Sequence, residues 1–273
     1  MRAFVLDADG VLVMRGAALP GARDALARLD ERGIPYRVAT NISALHRETL
    51  AARFVQMGLP IPAERIVTAL SATAEHVRRA YPGRPVFVIT RPDGLREFGD
   101  HPLLAHEHTD ADDARAAAVI LGDGAEDLSY QNLDRAFRLV RRGAELIAMH
   151  RNAWWYTAKG ETIDTGAFVA ALEYATGTRA RLTGKPGPLM FRTAYRGLVA
   201  DIAAAGGRPL VRDQVAMVGD DAPQDIAGAR RAGLRGILVL SGRATADEVP
   251  GLRGLAVPAA VAMSLGDVVA ALG

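Results

Sequence analysis

The hydrophobic positions of the chain alternate between short apolar runs and longer segments in which apolar residues recur at helical spacing. The short runs, rich in β-branched and aromatic residues, predict buried strands at 3–6, 35–39, 215–218 and 237–240. The helical spacing predicts amphipathic helices at 21–32 and 44–57 and a further helix through residues 190–198. Such alternation is typical of parallel βαβ units, so we expect an α/β fold built on a mostly parallel sheet.

The middle of the chain has a strand and helix pattern of its own. It predicts strands at 86–89, 117–121 and 146–149 and helices at 130–142 and 168–174. A block of this size is long enough to bury a small core. We therefore predict a core domain formed by residues 1–78 and 184–273, with an inserted domain over residues 79–183.

Composition narrows the range of functions and partners. Hydrophobic residues make up 49% of the 273 residues, the formal net charge is +2, and the chain has no cysteine. Without a basic block we expect neither nucleic acid nor a membrane surface as a partner. The absence of cysteine excludes disulfides, thiolate catalysis and cysteine-ligated metals, and it fits a reducing compartment. The first strand begins close to the N-terminus, and residues 255–272 are too short and too interrupted to span a bilayer. We therefore expect a cytoplasmic protein.

Polar residues of a particular kind follow the predicted strands. Asp7 and Asp9 come at the end of the first strand, and Asp220 comes at the end of a later one. Thr40 also ends a strand, and Lys185 precedes a helix. In an open parallel sheet these positions lie along one rim, where ligands bind. Carboxylates, a hydroxyl and an ammonium together favour a phosphoryl group held with Mg²⁺, although Asp7 and Asp9 alone would also fit a solvated turn.

Lysine usage singles out one of these positions. The chain has 33 lysines and arginines, and lysine occurs only at positions 159 and 185. A chain that uses arginine almost everywhere else but has lysine beside the predicted site suggests that a compact point charge is needed there.

The ordered motifs resemble those of the haloacid dehalogenase superfamily of phosphatases. The matching motifs are Asp7-Ala8-Asp9-Gly10-Val11-Leu12, Thr40-Asn41, Gly184-Lys185-Pro186 and Gly219-Asp220-Asp221 with Asp225. The insertion resembles the large α/β cap of the nitrophenylphosphatase and nucleotide-phosphatase-like subgroup. Segments 147–152 and 166–177 are most similar to the branch that contains phospholysine phosphohistidine inorganic pyrophosphate phosphatase. The resemblance implies a doubly wound, mostly parallel, Rossmann-like hydrolase core with an inserted α/β cap domain.

The resemblance also implies a role for each motif residue. Asp7 is the expected nucleophile, which forms an aspartyl-phosphate, and Asp9 is the expected general acid and base. Mg²⁺ is expected on the side chains of Asp7 and Asp220 and on the backbone carbonyl of Asp9. The expected phosphate-binding residues are Thr40, Asn41 and Lys185. Asp221 and Asp225 are expected to orient Lys185 or the waters around the metal.

We therefore expect a magnesium-dependent phosphatase that hydrolyses small phosphate monoesters, phosphoramidates or pyrophosphate. A phosphomutase and a noncatalytic regulatory or scaffold protein are the alternatives. Dehalogenation is disfavoured, because that reaction needs neither magnesium nor the acid that Asp9 supplies. Many members of the subgroup have a second asparagine where this chain has Ile42. Because of that difference, the substrates of other members are a weaker guide to the substrate of this chain. The expected catalytic residues are not affected. The expected partners are a small phosphorylated substrate and a second copy of the chain, bound through the cap.

Three features of the inserted block allow other interpretations. The segment His106-Glu107-His108, with Asp110, Asp112 and Asp113, has metal-ligand residue types, but an exposed acidic loop explains it better. Trp154-Trp155-Tyr156 is expected to pack in a core or interface rather than to recognise substrate. His150 is expected to pack near a strand end. Arg91, His150, Trp154 and Asp164 remain candidates for substrate contact.

Overall fold

The computed structural model describes residues 1–105, 110–157 and 160–272. The strands are β1 (Ala3–Asp7), β2 (Val13–Met14), β3 (Ala17–Ala18), β4 (Tyr36–Thr40), β5 (Ile66–Thr68), β6 (Val86–Ile89), β7 (Ala118–Leu121), β8 (Glu145–Ala148), β9 (Trp154–Thr157), β10 (Gly160–Ile163), β11 (Arg181–Leu182), β12 (Val215–Gly219), β13 (Arg235–Val239) and β14 (Ala260–Ala262). The helices are α1 (Ala22–Glu31), α2 (Arg47–Gln56), α3 (Ala69–Ala80), α4 (Pro92–Leu95), α5 (Asp110–Asp113), α6 (Tyr130–Arg141), α7 (Thr165–Thr176), α8 (Pro188–Ala204), α9 (Ala227–Arg231) and α10 (Leu265–Ala270).

The chain forms two compact units. The first unit consists of Met1–Thr40, Arg47–Val67 and Lys185–Gly273, and the second of Asn41–His46 and Thr68–Gly184. Residues 79–183 all belong to the second unit, as do the shorter segments that precede them. The limits of a hydrolase core and a cap at residues 79 and 183 stay a prediction.

A six-stranded sheet forms the centre of the first unit. Its strand order is β14-β13-β12-β1-β4-β5, and β1 is parallel to both of its neighbours, β12 and β4. The chain moves outward in one direction from β1 to β5 and in the other direction from β12 to β14. The order therefore changes direction at β1, which is the kind of position where open parallel sheets bind ligands. The predicted α/β class with a doubly wound parallel sheet is confirmed.

The central strands are buried because their sequence is apolar on both faces. Ala3, Phe4, Val5 and Leu6 of β1 are each at most 1% exposed, and the whole of β12 is buried. Strands covered on both sides read as continuous apolar runs rather than as alternating ones. This burial holds the backbone at the ends of β1 and β12 in place. The residues at these strand ends are therefore attached to a rigid backbone.

The second unit has a parallel sheet of its own. The strand order is β11-β8-β7-β6, and each neighbouring pair is parallel. Residues of β6, β7 and β8 pack with one face of α6 and α7 in a single apolar cluster that includes Phe87, Val119, Leu139 and Val169. Strands β9 and β10 form a separate antiparallel pair.

Helix limits agree with the sequence pattern to within a few residues. The pattern predicted a helix over 130–142, and α6 begins at Tyr130 because the Ser129 side chain accepts a hydrogen bond from the backbone of Asn132. Helix α7 begins at Thr165, three residues before the predicted start, with Asp164 as its N-cap. In the described part of the chain, no helix is long and apolar enough to cross a membrane.

Candidate active site

Three strands of the first unit end side by side at one rim of its sheet. Leu6 is paired with Val218 and Asp7 with Ala39, so the last residues of β1, β4 and β12 lie at the same level. Asp7 ends β1, Thr40 ends β4, and Asp220 follows β12 directly. All three are buried. The convergence of Asp7, Thr40 and Asp220 that the sequence predicted is present at this rim.

Lys185 joins two carboxylates at this rim. Its Nζ lies 2.6 Å from Asp7 Oδ1 and 2.8 Å from Asp225 Oδ1, and the three side chains are at most 7% exposed. Burial alone would lower the pKa of Lys185, but its attraction to Asp225 and Asp7 outweighs that effect and raises it. Lys185 is therefore a fixed positive charge at any physiological pH.

Asp7 is held by hydrogen bonds that use one of its two oxygens. The backbone N–H of Ala8 donates to Asp7 Oδ1 at 2.7 Å, and Lys185 contacts the same oxygen. Burial raises the pKa of Asp7 well above its ordinary value; repulsion by Asp225 and Asp220 adds to this, and Lys185 opposes it. The side chain is thus fixed in position, and its negative charge would be stabilised by further positive charge nearby.

Asp220 lies against two glycines. A Cβ atom at Gly10 or at Gly242 would come within 2.0 Å of Asp220 Oδ2, so neither position accommodates a side chain without a shift. Gly10 also has a φ of 73°, in the left-handed region that favours glycine. The backbone N–H of Arg243 donates to Asp220 Oδ2 at 2.7 Å. Burial, followed by repulsion from Asp225, raises the pKa of Asp220 to about 6.

Asp225 lies in the helical turn Ala222–Ile226 that follows β12, and it is fully buried. Its Oδ2 accepts a hydrogen bond of 3.1 Å from the backbone N–H of Asp221. Gly219 permits this approach, because a Cβ there would lie 2.3 Å from Cβ of Asp225. The Asp221 side chain points elsewhere: it accepts from the backbone of Gln224 at 2.9 Å and pairs with Arg243 at 3.1 Å. The geometry thus connects Asp225 to Lys185 and Asp221 to Arg243.

The charges at this rim suit a divalent cation. Asp7, Asp220 and Asp225 each bring one carboxylate oxygen into a group whose members lie within 4.8 Å of one another, and all three are buried. When ionised, the three carboxylates exceed the single ammonium of Lys185 by two negative charges. Hard oxygen donors with this excess charge are the ligands that Mg²⁺ prefers. The residues present therefore fit the predicted metal, and Asp225 belongs to the same carboxylate group as Asp7 and Asp220.

Asp9 and Asn41 belong to the predicted site but have different environments. The Asp9 side chain is exposed, yet the surrounding protein still desolvates its carboxylate enough to raise its pKa. Asn41 follows Thr40 directly and belongs to the second unit. Within that unit its Oδ1 would lie 2.6 Å from a Cβ at Gly184, so glycine before Lys185 leaves room for the Asn41 side chain.

One segment that supports Asp220 was not assigned a role from the sequence. The backbone N–H of Arg243 binds Asp220, and the Ser241 hydroxyl donates to the Gly10 carbonyl at 2.7 Å. Both residues follow β13, the neighbour of β12 in the sheet. The available signal was the predicted strand at 237–240, because the residues after it reach the same rim as those after β1 and β12.

The other predicted features of the inserted block have mixed outcomes. The segment His106-Glu107-His108 lies outside the described residues. The expectation of an exposed acidic loop is wrong for Asp113, which is 5% exposed and pairs with the buried Arg135 at 2.6 Å. Trp154 and Trp155 are 53% and 45% exposed, so neither packs in the core of the second unit. Each indole reaches the surface because β9 belongs to a two-stranded pair outside the main sheet of that unit.

His150 is buried, as expected for a residue that packs at a strand end. Its Nε2 lies 3.1 Å from Ser43 Oγ, which also accepts the backbone N–H of Asp123. Burial lowers the pKa of His150, and attraction to Asp164 and Asp123 only partly offsets the effect. The imidazole is therefore neutral at pH 7 and acts as part of the packing of the second unit.

Comparison with known proteins gives consistent matches over the whole chain. Sequence profiles described as haloacid dehalogenase-like hydrolase and HAD-hydrolase-like match residues 4–101 and 182–268. The chain is 34% identical to haloacid dehalogenase-like hydrolase domain-containing protein 2 from Bos taurus, over 91% of this chain and 88% of that protein. It is 31% identical to phospholysine phosphohistidine inorganic pyrophosphate phosphatase from Xenopus laevis, over 89% and 84%. The solved structure of a 4-nitrophenylphosphatase from Thermotoga maritima superposes with a TM-score of 0.84 at 27% identity, covering 100% of this chain and 98% of that one.

Proposed function

This chain belongs to the haloacid dehalogenase-like hydrolase family, and from that premise we propose that it is a magnesium-dependent phosphatase acting on small phosphorylated compounds. The observation that carries the proposal is the buried contact of Lys185 with Asp7 beside Asp220 at the end of the central strands. Family membership alone leaves the reaction open. A fixed ammonium and a group of buried carboxylates at one rim are what phosphoryl transfer needs.

Asp7 is the nucleophile in this proposal. Because Oδ1 accepts from Ala8 and contacts Lys185, Oδ2 is the oxygen that attacks phosphorus. The bond from Oδ2 to phosphorus forms while the bond from phosphorus to the leaving oxygen breaks, which gives an aspartyl-phosphate. Burial of the strand end keeps the carboxylate in one orientation, so little conformational entropy is lost when it reaches the reactive geometry.

Asp9 is the general acid and base in this proposal. It lies two residues after the nucleophile and its side chain is exposed, so it is accessible to a leaving group. Asp9 donates its proton to the leaving oxygen in the first step. In the second step it takes a proton from the water that attacks phosphorus, and the bond between phosphorus and Asp7 breaks to regenerate the carboxylate.

Lys185, Thr40 at the end of β4 and Asn41 directly after it stabilise the charge on the phosphoryl oxygens. Lys185 supplies a permanent positive charge. The Thr40 hydroxyl and the backbone N–H of Asn41 are the proposed hydrogen-bond donors. The side chains of Asp7 and Asp220 and the carbonyl of Asp9 would hold Mg²⁺, which, when bound, offsets the excess negative charge and polarises the phosphoryl group. Asp225 keeps Lys185 in place through their contact of 2.8 Å.

The relatives suggest where to look for a substrate. One is named as a phosphatase of phospholysine, phosphohistidine and pyrophosphate, and another as a 4-nitrophenylphosphatase. Small phosphate monoesters, phosphoramidates and pyrophosphate are therefore the proposed substrate classes. The roles of the second unit as a cap and as a homodimer contact, and a cytoplasmic location, stay predictions that follow from the same resemblance.

Phosphate release from a substrate panel tests the proposal. The panel contains p-nitrophenyl phosphate, pyrophosphate, a phosphoramidate, a sugar phosphate and a nucleotide, each with and without Mg²⁺. We expect magnesium-dependent release, reduced about 10³-fold or more by Asp7→Asn. Asp24→Asn, an exposed acid on α1, is the matched control and should leave the rate unchanged. Release at the wild-type rate by Asp7→Asn would contradict the proposal, and an isomerised product without free phosphate would indicate a phosphomutase.

A further inference from the structure

The second unit contains a pocket of about 430 Å³ that is lined by its own residues. Its apolar wall includes Leu128, Trp155, Ile163 and Phe168. Trp155 is 45% exposed and Ile163 is 60% exposed, although both are large apolar side chains. A half-exposed indole in a pocket that also contains a phenyl ring is suited to a flat apolar body, since aromatic groups gain from stacking and from burial of their faces.

One ion pair at the pocket is already complete. The Arg91 guanidinium donates from Nε and Nη2 to the two oxygens of Asp123, at 3.2 Å and 3.3 Å. Asp123 Oδ1 also accepts the backbone N–H of Ala125 at 3.2 Å. Because Arg91 and Asp123 compensate each other, they add no net charge to the pocket.

Asp164 has a negative charge that is not compensated in this way. Its Oδ1 accepts the backbone N–H of Thr165 at 2.7 Å as the N-cap of α7. Its Oδ2 lies 3.9 Å from His150 Nδ1, beyond hydrogen-bond distance. His150 is neutral at pH 7 because burial lowers its pKa. Within the described part of the lining, Asp164 therefore leaves the pocket with one excess negative charge.

Thr165 provides a second, independent sign of a ligand. It lies in the pocket wall and is fully buried, and its Oγ1 has no hydrogen-bond partner among the described residues. A buried hydroxyl without a partner is rare in native structures and is unfavourable until a partner is supplied. Thr165 follows Asp164 directly in the chain, and both residues belong to the pocket lining.

We propose that this pocket binds a small ligand with a flat apolar body and a protonated amine. The body lies against Trp155 and Phe168, and the ammonium group donates to Asp164 and Thr165. An anion is disfavoured, since Asp164 already occupies the amide at the start of α7 with a negative charge. The inference rests on the second unit alone and holds whether or not the chain is a phosphatase.

Three probes that differ only in their polar end test the charge preference. They are 2-phenylethylamine, 2-phenylethanol and phenylacetate, which are positive, neutral and negative at pH 7. Both tryptophans of the chain lie on β9, so intrinsic tryptophan fluorescence reports on the pocket. We expect saturable binding at millimolar concentrations, with the alcohol bound roughly fivefold more weakly than the amine and the carboxylate weaker still. Equal affinities, or no saturable change with the amine, would overturn the proposal.

Variants measured by calorimetry connect the binding to named side chains. Asp164→Asn keeps the N-cap of α7 while removing the charge, so we expect amine affinity to fall to that of the alcohol. Trp155→Ala should abolish binding, whereas Trp154→Ala, on the opposite face of β9, is the matched control and should not. Thr165→Val is a nearly isosteric variant that should also weaken amine binding. It provides the test if Asp164→Asn does not fold. Unchanged amine affinity in Asp164→Asn or Trp155→Ala, or in Thr165→Val, would contradict the assignment.

Discussion

The rim of the first unit and the pocket of the second unit both hold more negative than positive charge, but by different amounts. At the rim, three buried carboxylates face one ammonium, and the excess is two charges. In the pocket, Arg91 and Asp123 cancel, and Asp164 leaves an excess of one. A folded protein rarely keeps a buried charge without a partner, because its desolvation is not repaid. The charge that each site lacks matches the ligand that we propose for it: a divalent cation at the rim and a single ammonium group in the pocket.

The largest expected effect comes from removing the ammonium at the rim. Lys185→Met leaves Asp7 and Asp225 buried without their cation. We expect the free energy of unfolding at pH 7 to fall by about 3–5 kcal/mol and phosphate release to fall by about 10²-fold or more. Urea denaturation and the release assay measure the two quantities.

Lys185→Arg is the matched control for that substitution. It keeps the positive charge but replaces a point charge by a planar group, so most of the stability should remain while activity is lost. If Lys185→Met is as stable as the wild type at pH 7, the charge balance proposed for the rim is wrong.

A pair of glycine substitutions tests the close packing around Asp220. Gly10→Ala places a Cβ within 2.0 Å of Asp220 Oδ2, whereas Gly16→Ala meets nothing within 4 Å. Both glycines have a positive φ, of 73° and 80°, so both variants lose about 1–2 kcal/mol to backbone strain. Only Gly10→Ala should also reduce phosphate release, by about tenfold or more. Equal activity in the two variants would show that the position of Asp220 does not matter.

The buried histidine of the second unit predicts a pH dependence of stability. The pKa of His150 is lowered in the folded chain, while the unfolded chain binds a proton near pH 6.5. As the pH falls below 6.5, the unfolded state therefore takes up more protons and the free energy of unfolding decreases, by at most about 1.4 kcal/mol per pH unit. His150→Gln should reduce this slope in denaturation curves measured between pH 7 and pH 5. The slope that remains combines two opposite contributions: His76 and His101, whose pKa values burial also lowers, and Asp7, Asp9 and Asp220, whose pKa values burial raises. Identical slopes in wild type and variant would show that His150 is not the neutral group described above.

The smallest expected effect concerns the unpartnered hydroxyl in the pocket. Thr165→Val removes an oxygen that has no partner among the described residues, so the melting temperature should stay the same or rise slightly. Thr176→Val is the control on the same helix, because Thr176 Oγ1 donates to the carbonyl of Leu172 at 2.7 Å. That variant should lose about 1 kcal/mol. A larger loss for Thr165→Val than for Thr176→Val would mean that the hydroxyl already has a partner.

The sequence predicted the rim well because strand ends fix its residues. The carboxyl ends of neighbouring parallel strands lie at the same edge of a sheet, so the residues at the ends of β1, β4 and β12 had to meet if the sheet was parallel. Asp7, Thr40 and Asp220 could therefore be placed together from their order in the chain. The contact of Asp225 with Lys185 was harder to predict from the sequence, because it depends on the space that Gly219 leaves and on the turn Ala222–Ile226.

The pocket could not be predicted in the same way. It combines the segments after β6 and β7 with the pair β9 and β10 and the start of α7, and no strand register relates the first two segments to the others. Trp155 was expected in a core or an interface because most tryptophans are largely buried, and here it lines a pocket with nearly half of its surface exposed. The pairing of Asp113 with Arg135 was missed for a similar reason, because an acidic run in sequence does not show which of its members turns inward.

We propose that Asp7 carries the phosphoryl group during turnover, and borohydride trapping detects this intermediate on the chain itself. Borohydride reduces an acyl phosphate on aspartate to homoserine, which peptide mass spectrometry locates in the chain. With p-nitrophenyl phosphate and Mg²⁺ present, we expect homoserine at position 7 in the wild type, and none there without substrate or in Asp7→Asn. Rapid phosphate release with aspartate intact at position 7, or homoserine at another acidic residue, would contradict it.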